Sequence, residues 1–214
     1  MQRRFLNRLL ATLVVGSFVL GAGVPAHAAD EAPEVLIKRL FTETLDAIKA
    51  DKSLQSGDVA RIVSLVDSKI MPNVNFQRMT ASAVGPGWRQ ATPEQRQRLQ
   101  EEFKILLVRT YAGALTQVSD QTNMVLKPLR TAPEDREVLV RTEVKGRGEA
   151  FQLDYRLEKT PGLGAGWKIY NLNVLGVWLV ETYRSQFSQE ISAKGIDGLI
   201  ASLSERNKAN AKKG

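Results

Sequence analysis

His27 is the only histidine among 214 residues, and there is no cysteine. The side chains most used for nucleophilic and general-base chemistry are therefore almost missing. His27 itself lies in a stretch expected to be cut away. Beyond that stretch, Ser–His–Asp and Cys–His catalysis are excluded, as are zinc sites built from imidazole or thiolate. Carboxylates remain, because Asp and Glu can do acid–base work without histidine. Glu94, Glu101, Glu102, Glu143, Asp154 and Glu158 fall on the polar sides of amphipathic segments, where such groups are solvated. Asp67 and Glu181 lie closer to apolar stripes and are the acids to check for burial. There is no G-x-x-x-x-G-K-[S/T] loop, dinucleotide fingerprint or H-E-x-x-H helix. The chain reads as a non-enzyme without cofactor or metal. Its aromatics, Tyr111, Phe151, Tyr155, Trp167, Tyr170, Trp178 and Tyr183, read first as core.

The N-terminus carries Arg3, Arg4 and Arg8, then an apolar run from Leu9 to Gly23, then Ala26-His27-Ala28. That order is a signal peptide, residues 1–28, with the cut after Ala28. The run is shorter than the ~20 residues a membrane span needs. Residues 29–214 are left as one domain, exported and soluble, with a sizeable core and no disulfide. Losing three arginines and no acid lowers the formal charge from +7 to +4. That excess suits weak attraction to anionic membranes or acidic partners; a nucleic-acid binder would concentrate its basic residues in a stripe. The ends, Asp30–Pro33 and Asn207–Gly214, read as disordered.

These residues are positioned by helices, then strands, then helices. Ile37, Leu40, Phe41, Leu45 and Ile48 recur at helical spacing over Glu34 to about Lys52. Asp58 caps a second helix with Ile62, Leu65, Val66 and Ile70 on its face, ending before Pro72. Asn75 opens a third with Phe76, Met79 and Ala83, stopped by Gly85-Pro86-Gly87. Thr92, Pro93 and Gln95 form a capping box for a fourth. Its face is Leu99, Phe103, Leu106, Leu107, Tyr111, Ala114, Leu115 and Val118; Arg96, Arg98, Lys104 and Arg109 form a solvated set.

Four strands follow, Met124–Arg130, Glu137–Lys145, Glu149–Glu158 and Gly166–Leu175, joined by turns such as Ala132-Pro133-Glu134-Asp135 and Gly146-Arg147-Gly148. Val138, Val140, Thr142 and Val144 share one face, as do Phe151, Leu153, Tyr155 and Leu157. In the last strand, Trp167, Ile169 and Asn171 oppose Lys168, Tyr170, Leu172 and Val174. At Gly176 the period changes to that of a helix running through Ile191, with Leu179, Tyr183 and Phe187 as its stripe. Gly195 is expected as its left-handed cap, before a short helix with Ile200 and Leu203. The fold class is α+β, several helices packed on a curved four-stranded antiparallel meander.

An ordered set of segments adds to this reading. It comprises Met71-Pro72-Asn73-Val74-Asn75-Phe76, Trp88-Arg89-Gln90-Ala91-Thr92-Pro93-Glu94-Gln95, Tyr111 to Leu115, Gly166–Val177, Tyr183-Arg184-Ser185-Gln186-Phe187 and Lys194-Gly195-Ile196-Asp197-Gly198-Leu199. Over residues 34–206 the chain resembles the MlaC, or toluene-tolerance, family of periplasmic phospholipid-binding proteins. Asn75 and Asn171 stand where Asp is common in that family. Trp178 stands where a small polar residue is common, so it is expected to reshape a pocket wall.

The resemblance implies a periplasmic, monomeric carrier that takes phospholipid between an outer-membrane lipoprotein–porin complex and an inner-membrane ABC transporter complex. Its cargo is the lipid, held in an apolar cavity between helices and sheet, and it binds no nucleic acid. The residues expected to line that cavity are Phe103, Leu106, Tyr111, Val138, Val140, Val144, Phe151, Leu153, Tyr155, Tyr170, Leu172 and Val174. The rival readings are a periplasmic adaptor or chaperone with an exposed apolar groove, and a cone-shaped α+β enzyme with an acid aimed into the cavity.

Overall fold

The structure is a computed structural model that describes residues 30–211, apart from 116, 133, 147 and the side chain of residue 115. The expected leader, its cut and His27 lie outside the described residues, as do Pro133 and Arg147 of two expected turns.

Local signals place the helices. Helix α1 spans Pro33–Ala50 and buries Leu36, Ile37, Leu40 and Ile48. A short α2, Lys52–Gln55, follows, and α3, Val59–Leu65, starts where the Asp58 carboxylate accepts the Ala60 and Arg61 N–H groups. The chain then widens into a π turn over Val66–Ile70 and tightens into a 3₁₀ turn over Met71–Asn73, so Pro72 sits inside helical structure. Asn75 caps α4, Phe76–Val84, by accepting the Arg78 N–H. Helix α5, Gly87–Gln90, leads to α6, Pro93–Leu115. The capping box at the start of α6 is formed: Thr92 N–H donates to Gln95 Oε1 at 2.9 Å, and Gln95 N–H to Thr92 Oγ1 at 3.2 Å.

The strands are β1 Asn123–Leu126, β2 Glu137–Val140, β3 Thr142–Lys145, β4 Phe151–Lys159, β5 Trp167–Val174 and β6 Val177–Trp178. They make one antiparallel sheet in the order β1-β3-β4-β5-β6, with β2 also on β4. The meander order is as expected, but the strand expected over Glu137–Lys145 is broken at Arg141. The cause is on the next strand. The Thr142 N–H donates to the Asp154 carboxylate at 3.0 Å, and the Thr142 hydroxyl donates to the Leu153 carbonyl. A side chain thus replaces a ladder acceptor at the break.

The last helix does not begin at Gly176. Leu175 and Gly176, at φ 55° and 85°, form a two-residue hairpin turn between Val174 and Val177. Positive φ at both positions marks the type I′ turn that suits strand twist. Helix α7 then runs Leu179–Ala211 and breaks at Gly195, with φ 71° and ψ −174°. The break falls where expected, but the conformation is an extended glycine-only one rather than a left-handed cap.

Residues 30–33 and 207–211 are more ordered than the sequence suggests, and residues 212–214 of the expected C-terminal tail lie outside the described residues. Glu31 N–H donates to the Ala165 carbonyl at 2.9 Å and its carboxylate pairs with Arg39. Asn207 is buried, and its amide donates to the Glu102 carbonyl and carboxylate.

Three apolar clusters result. One joins α4, α6 and α7 around Phe103, whose ring lies 4.9 Å from Tyr183 and 5.2 Å from Phe187. A second packs Leu36, Ile37 and Leu40 of α1 on the sheet. A third joins Ile48, Leu54, Ile62 and Leu65 to Val108 and Ala112 of α6.

Candidate functional site

The register of the sheet defines its two faces. Val138 pairs with Leu157 and Val140 with Tyr155 across β2 and β4, and Val144 pairs with Phe151 across β3 and β4. Tyr155 then pairs with Leu172, and Leu153 with Val174. Opposed residues share a face, so these form one continuous apolar surface. Alternation along β5 does not hold. Arg156 pairs with Asn171 and Leu157 with Ile169, which leaves Tyr170 as the extra residue of a β-bulge. The bulge puts Trp167 and Ile169 on the same face as Leu172 and Val174, where strict alternation would separate them. The signal was in the sequence: apolar residues at 167 and 169, then at 172 and 174, switch parity and can share a face only if one residue is inserted.

The twelve expected lining residues divide accordingly. Val138, Val140, Val144, Leu153, Tyr155, Phe151, Leu172 and Val174 share the apolar face. Val140 is 0% exposed, while Phe151, Leu153, Leu172 and Val174 are half-buried. Phe103, Leu106 and Tyr111 belong to the α4/α6/α7 cluster. Tyr170 does not join the face. Its hydroxyl donates to Glu137 at 2.9 Å, and the Arg78 guanidinium lies 3.6 Å from its ring centroid. The α1 cluster and the α4/α6/α7 cluster have Val74 and Leu172 packed against both. Burial raises the Tyr155 hydroxyl above its ordinary range, helped by the Asp154 charge, so it stays protonated.

The other face is polar and closely paired. Arg78 bridges Glu137 and Glu158, each at 2.5 Å, and Asn75 donates to Glu158 at 2.5 Å. The hydrogen bonds from Arg78 and Tyr170 hold the Glu137 carboxyl below its usual range. Further along, Arg156 pairs with Glu181 and lies 4.0 Å over the Trp178 ring. Asn171 donates to Glu181 at 2.7 Å and accepts the Val180 N–H at 3.1 Å. Partial desolvation of the Glu181 carboxyl would raise it, but Asn171 and Arg156 outweigh that and leave it lowered. Trp178 pairs in register with Asn173 and lies over Arg156, so it builds this polar face and not an apolar pocket wall.

The acids correct one expectation. Asp67 pairs with Lys104 at 2.7 Å and is 47% exposed at its side chain, and Glu181 is 51% exposed. Neither is buried. Asp154, read as solvated, is 2% exposed. It lies opposite Leu153 and Tyr155 in the strand alternation. Its oxygens are taken by the Thr142 N–H and the Gln152 amide. It is a structural acceptor and does not face the apolar surface.

An open groove of ≈ 460 Å³ lies between the Gly85–Pro86 turn and α7, lined by Val84, Gly85, Pro86, Glu181, Arg184, Ser185 and Ser188. None of the twelve expected residues lines it. Sequence reading missed it because its two walls are about a hundred residues apart. Among the described residues no helix is long and apolar enough to cross a membrane.

Known proteins resemble this chain over most of its length. The family model described as MlaC protein matches residues 38–205. The toluene tolerance protein ttg2D of Pseudomonas putida is 28% identical over 192 residues, covering 88% of this chain and 87% of that one. The intermembrane phospholipid transport system binding protein MlaC of Haemophilus influenzae is 23% identical over 192 residues, with 88% and 89% covered. Among solved structures, the phospholipid-binding protein from Ralstonia solanacearum, in complex with a phospholipid, is 45% identical with a TM-score of 0.78. That match covers 83% of this chain and 97% of the other.

Proposed function

The chain belongs to the MlaC family, and from that premise we propose that it is a phospholipid carrier, a binding protein and not an enzyme. It holds its cargo by the acyl chains against the apolar sheet face. It works in the periplasm as a monomer, between an outer-membrane lipoprotein–porin complex and an inner-membrane ABC transporter complex, and so maintains outer-membrane lipid asymmetry. The observation that carries this reading is the likeness, at 45% identity over 83% of the chain, to a protein solved with phospholipid bound.

The physics supports the role. A diacyl lipid hides roughly 30 methylenes at ~0.8 kcal/mol each, so it does not cross water unaided. The apolar face supplies a surface for such chains. Its two cover clusters join through the half-buried Leu172 and Val74, and tails enter by parting that join. The sequence holds no nucleotide motif, so energy for direction enters through the ATPase partner.

Native mass spectrometry of the protein purified from cells tests the proposal. Adducts with phospholipid masses are expected. A chain that carries peptide or protein and no lipid would be an adaptor or chaperone instead.

A further inference from the structure

The groove beside α7 has an unusual electrostatic arrangement. Glu181 and Arg184 are one helical turn apart and line the same groove, yet they form no ion pair. Glu181 is drawn toward the sheet by Arg156 and Asn171. Among the described residues Arg184 has neither a hydrogen bond nor a salt bridge, and the Ser185 and Ser188 hydroxyls have no partner. Residues 181, 184, 185 and 188 form one stripe of α7, so a guanidinium and two hydroxyls converge on one space. The floor is apolar, from Val84 and Pro86. Val84 belongs to the cluster against which Leu172 and Val174 of the apolar face also pack.

We propose that this groove is an anion subsite that takes a phosphodiester, with Arg184 as its cation and Ser185 and Ser188 as hydroxyl donors. Resting on the carrier reading above, the phosphodiester is that of the lipid head group. A guanidinium suits phosphate because it offers several N–H donors in a fixed fork. Among the described residues Glu181 is the one acid lining the groove, and Arg156 offsets its charge. Free phosphate offers the same chemistry, so the test separates the two sources.

The full-length chain is delipidated and offered vesicles of phosphatidylglycerol and phosphatidylethanolamine doped with tail-matched diacylglycerol. Uptake of each is measured by mass spectrometry, for wild type, Arg184→Gln and Ser188→Ala. Wild type should prefer phospholipid over diacylglycerol. Arg184→Gln should cut that preference roughly tenfold, the loss of one charge-assisted contact, with total uptake kept. Ser188→Ala should cut it less. Equal uptake of phospholipid and diacylglycerol by wild type, or an unchanged preference in Arg184→Gln, overturns the head-group assignment and leaves the carrier reading standing. If wild type takes up neither lipid, the carrier reading fails. Titration with inorganic phosphate, followed by amide shifts at Ser185 and Ser188, then decides: shifts lost in Arg184→Gln keep the anion subsite for free phosphate, and no shifts end it.

Discussion

Asn75 and Asn171 each turn an amide N–H toward a glutamate, Glu158 and Glu181 respectively. An aspartate at either place would set two carboxylates against each other. Asn171 is the sharper case because it is 1% exposed. In the wild type Glu181 is held below its ordinary value. Its contribution to stability is therefore present above about pH 4.5 and fades as pH falls through the lower folded value. In Asn171→Asp that contribution is lost and like charge is added. Urea unfolding at pH 7 should show a loss of roughly 1–3 kcal/mol. The deficit should narrow when both carboxyls can protonate, near pH 4. A deficit equal at the two pH values would mean that packing, not charge, set the effect.

Leu175 carries another residue-scale cost. It is 67% exposed and sits at φ 55°, a region that disfavours side chains other than Asn or Gly by roughly 1–2 kcal/mol. Leu175→Asn makes the Asn-Gly pair that type I′ turns prefer. It should raise stability by about 0.5–1 kcal/mol, seen as a Tm increase of about 1–4 °C in calorimetry. A lowered Tm would show that the leucine packs on something the hairpin needs.

At the scale of elements, the apolar face offers two positions that should respond differently to added bulk. Val140 is 0% exposed and lies beneath α1. Val140→Trp should overpack it and cost about 1–3 kcal/mol. Leu153 is half-buried at the margin of the same cluster. Leu153→Trp should fold with the stability of delipidated wild type while its lipid content falls. Delipidated protein is the right reference, because bound lipid itself stabilises the carrier. Full lipid content in Leu153→Trp would place the acyl chains elsewhere. The elements also show what sequence can reveal. The caps at Asp58, Asn75 and Thr92–Gln95 were legible because each is settled within four residues. The apolar rows of β2 to β4 were legible by alternation. The break at Arg141 and the burial of Asp154 were not, because both depend on a hydrogen bond between strands twelve residues apart. Tyr170 was misplaced for the same reason: a bulge exists only relative to the strand it pairs with.

For the whole molecule, the expected mature chain starts at Ala29. Asp30 and Glu31 are already tied to the loop over residues 160–166, through the Gly162 and Ala165 backbone. Sequencing the N-terminus of exported protein should give Ala29, and a retained leader would defeat that expectation. The helix–sheet layering was legible in the sequence, whereas the groove on α7 was not, since no local pattern brings Arg184 to the Gly85–Pro86 turn.

The narrow join at Val74 and Leu172 bears on cooperativity. Two apolar clusters that share so few side chains need not melt together, and local opening free energies follow such divisions. The amides of α6 and of α7 before Gly195 should then exchange slowly, at the rate of global unfolding. Those of the N-terminal half of α1, around Leu36, Ile37 and Leu40, should exchange through a smaller, sub-global opening, since Ile48 at the other end of α1 is held to α6 by the third cluster. Bound lipid would weld the clusters and bring the two rates together, so in hydrogen-exchange terms the loaded carrier would behave as one foldon and the empty one as two.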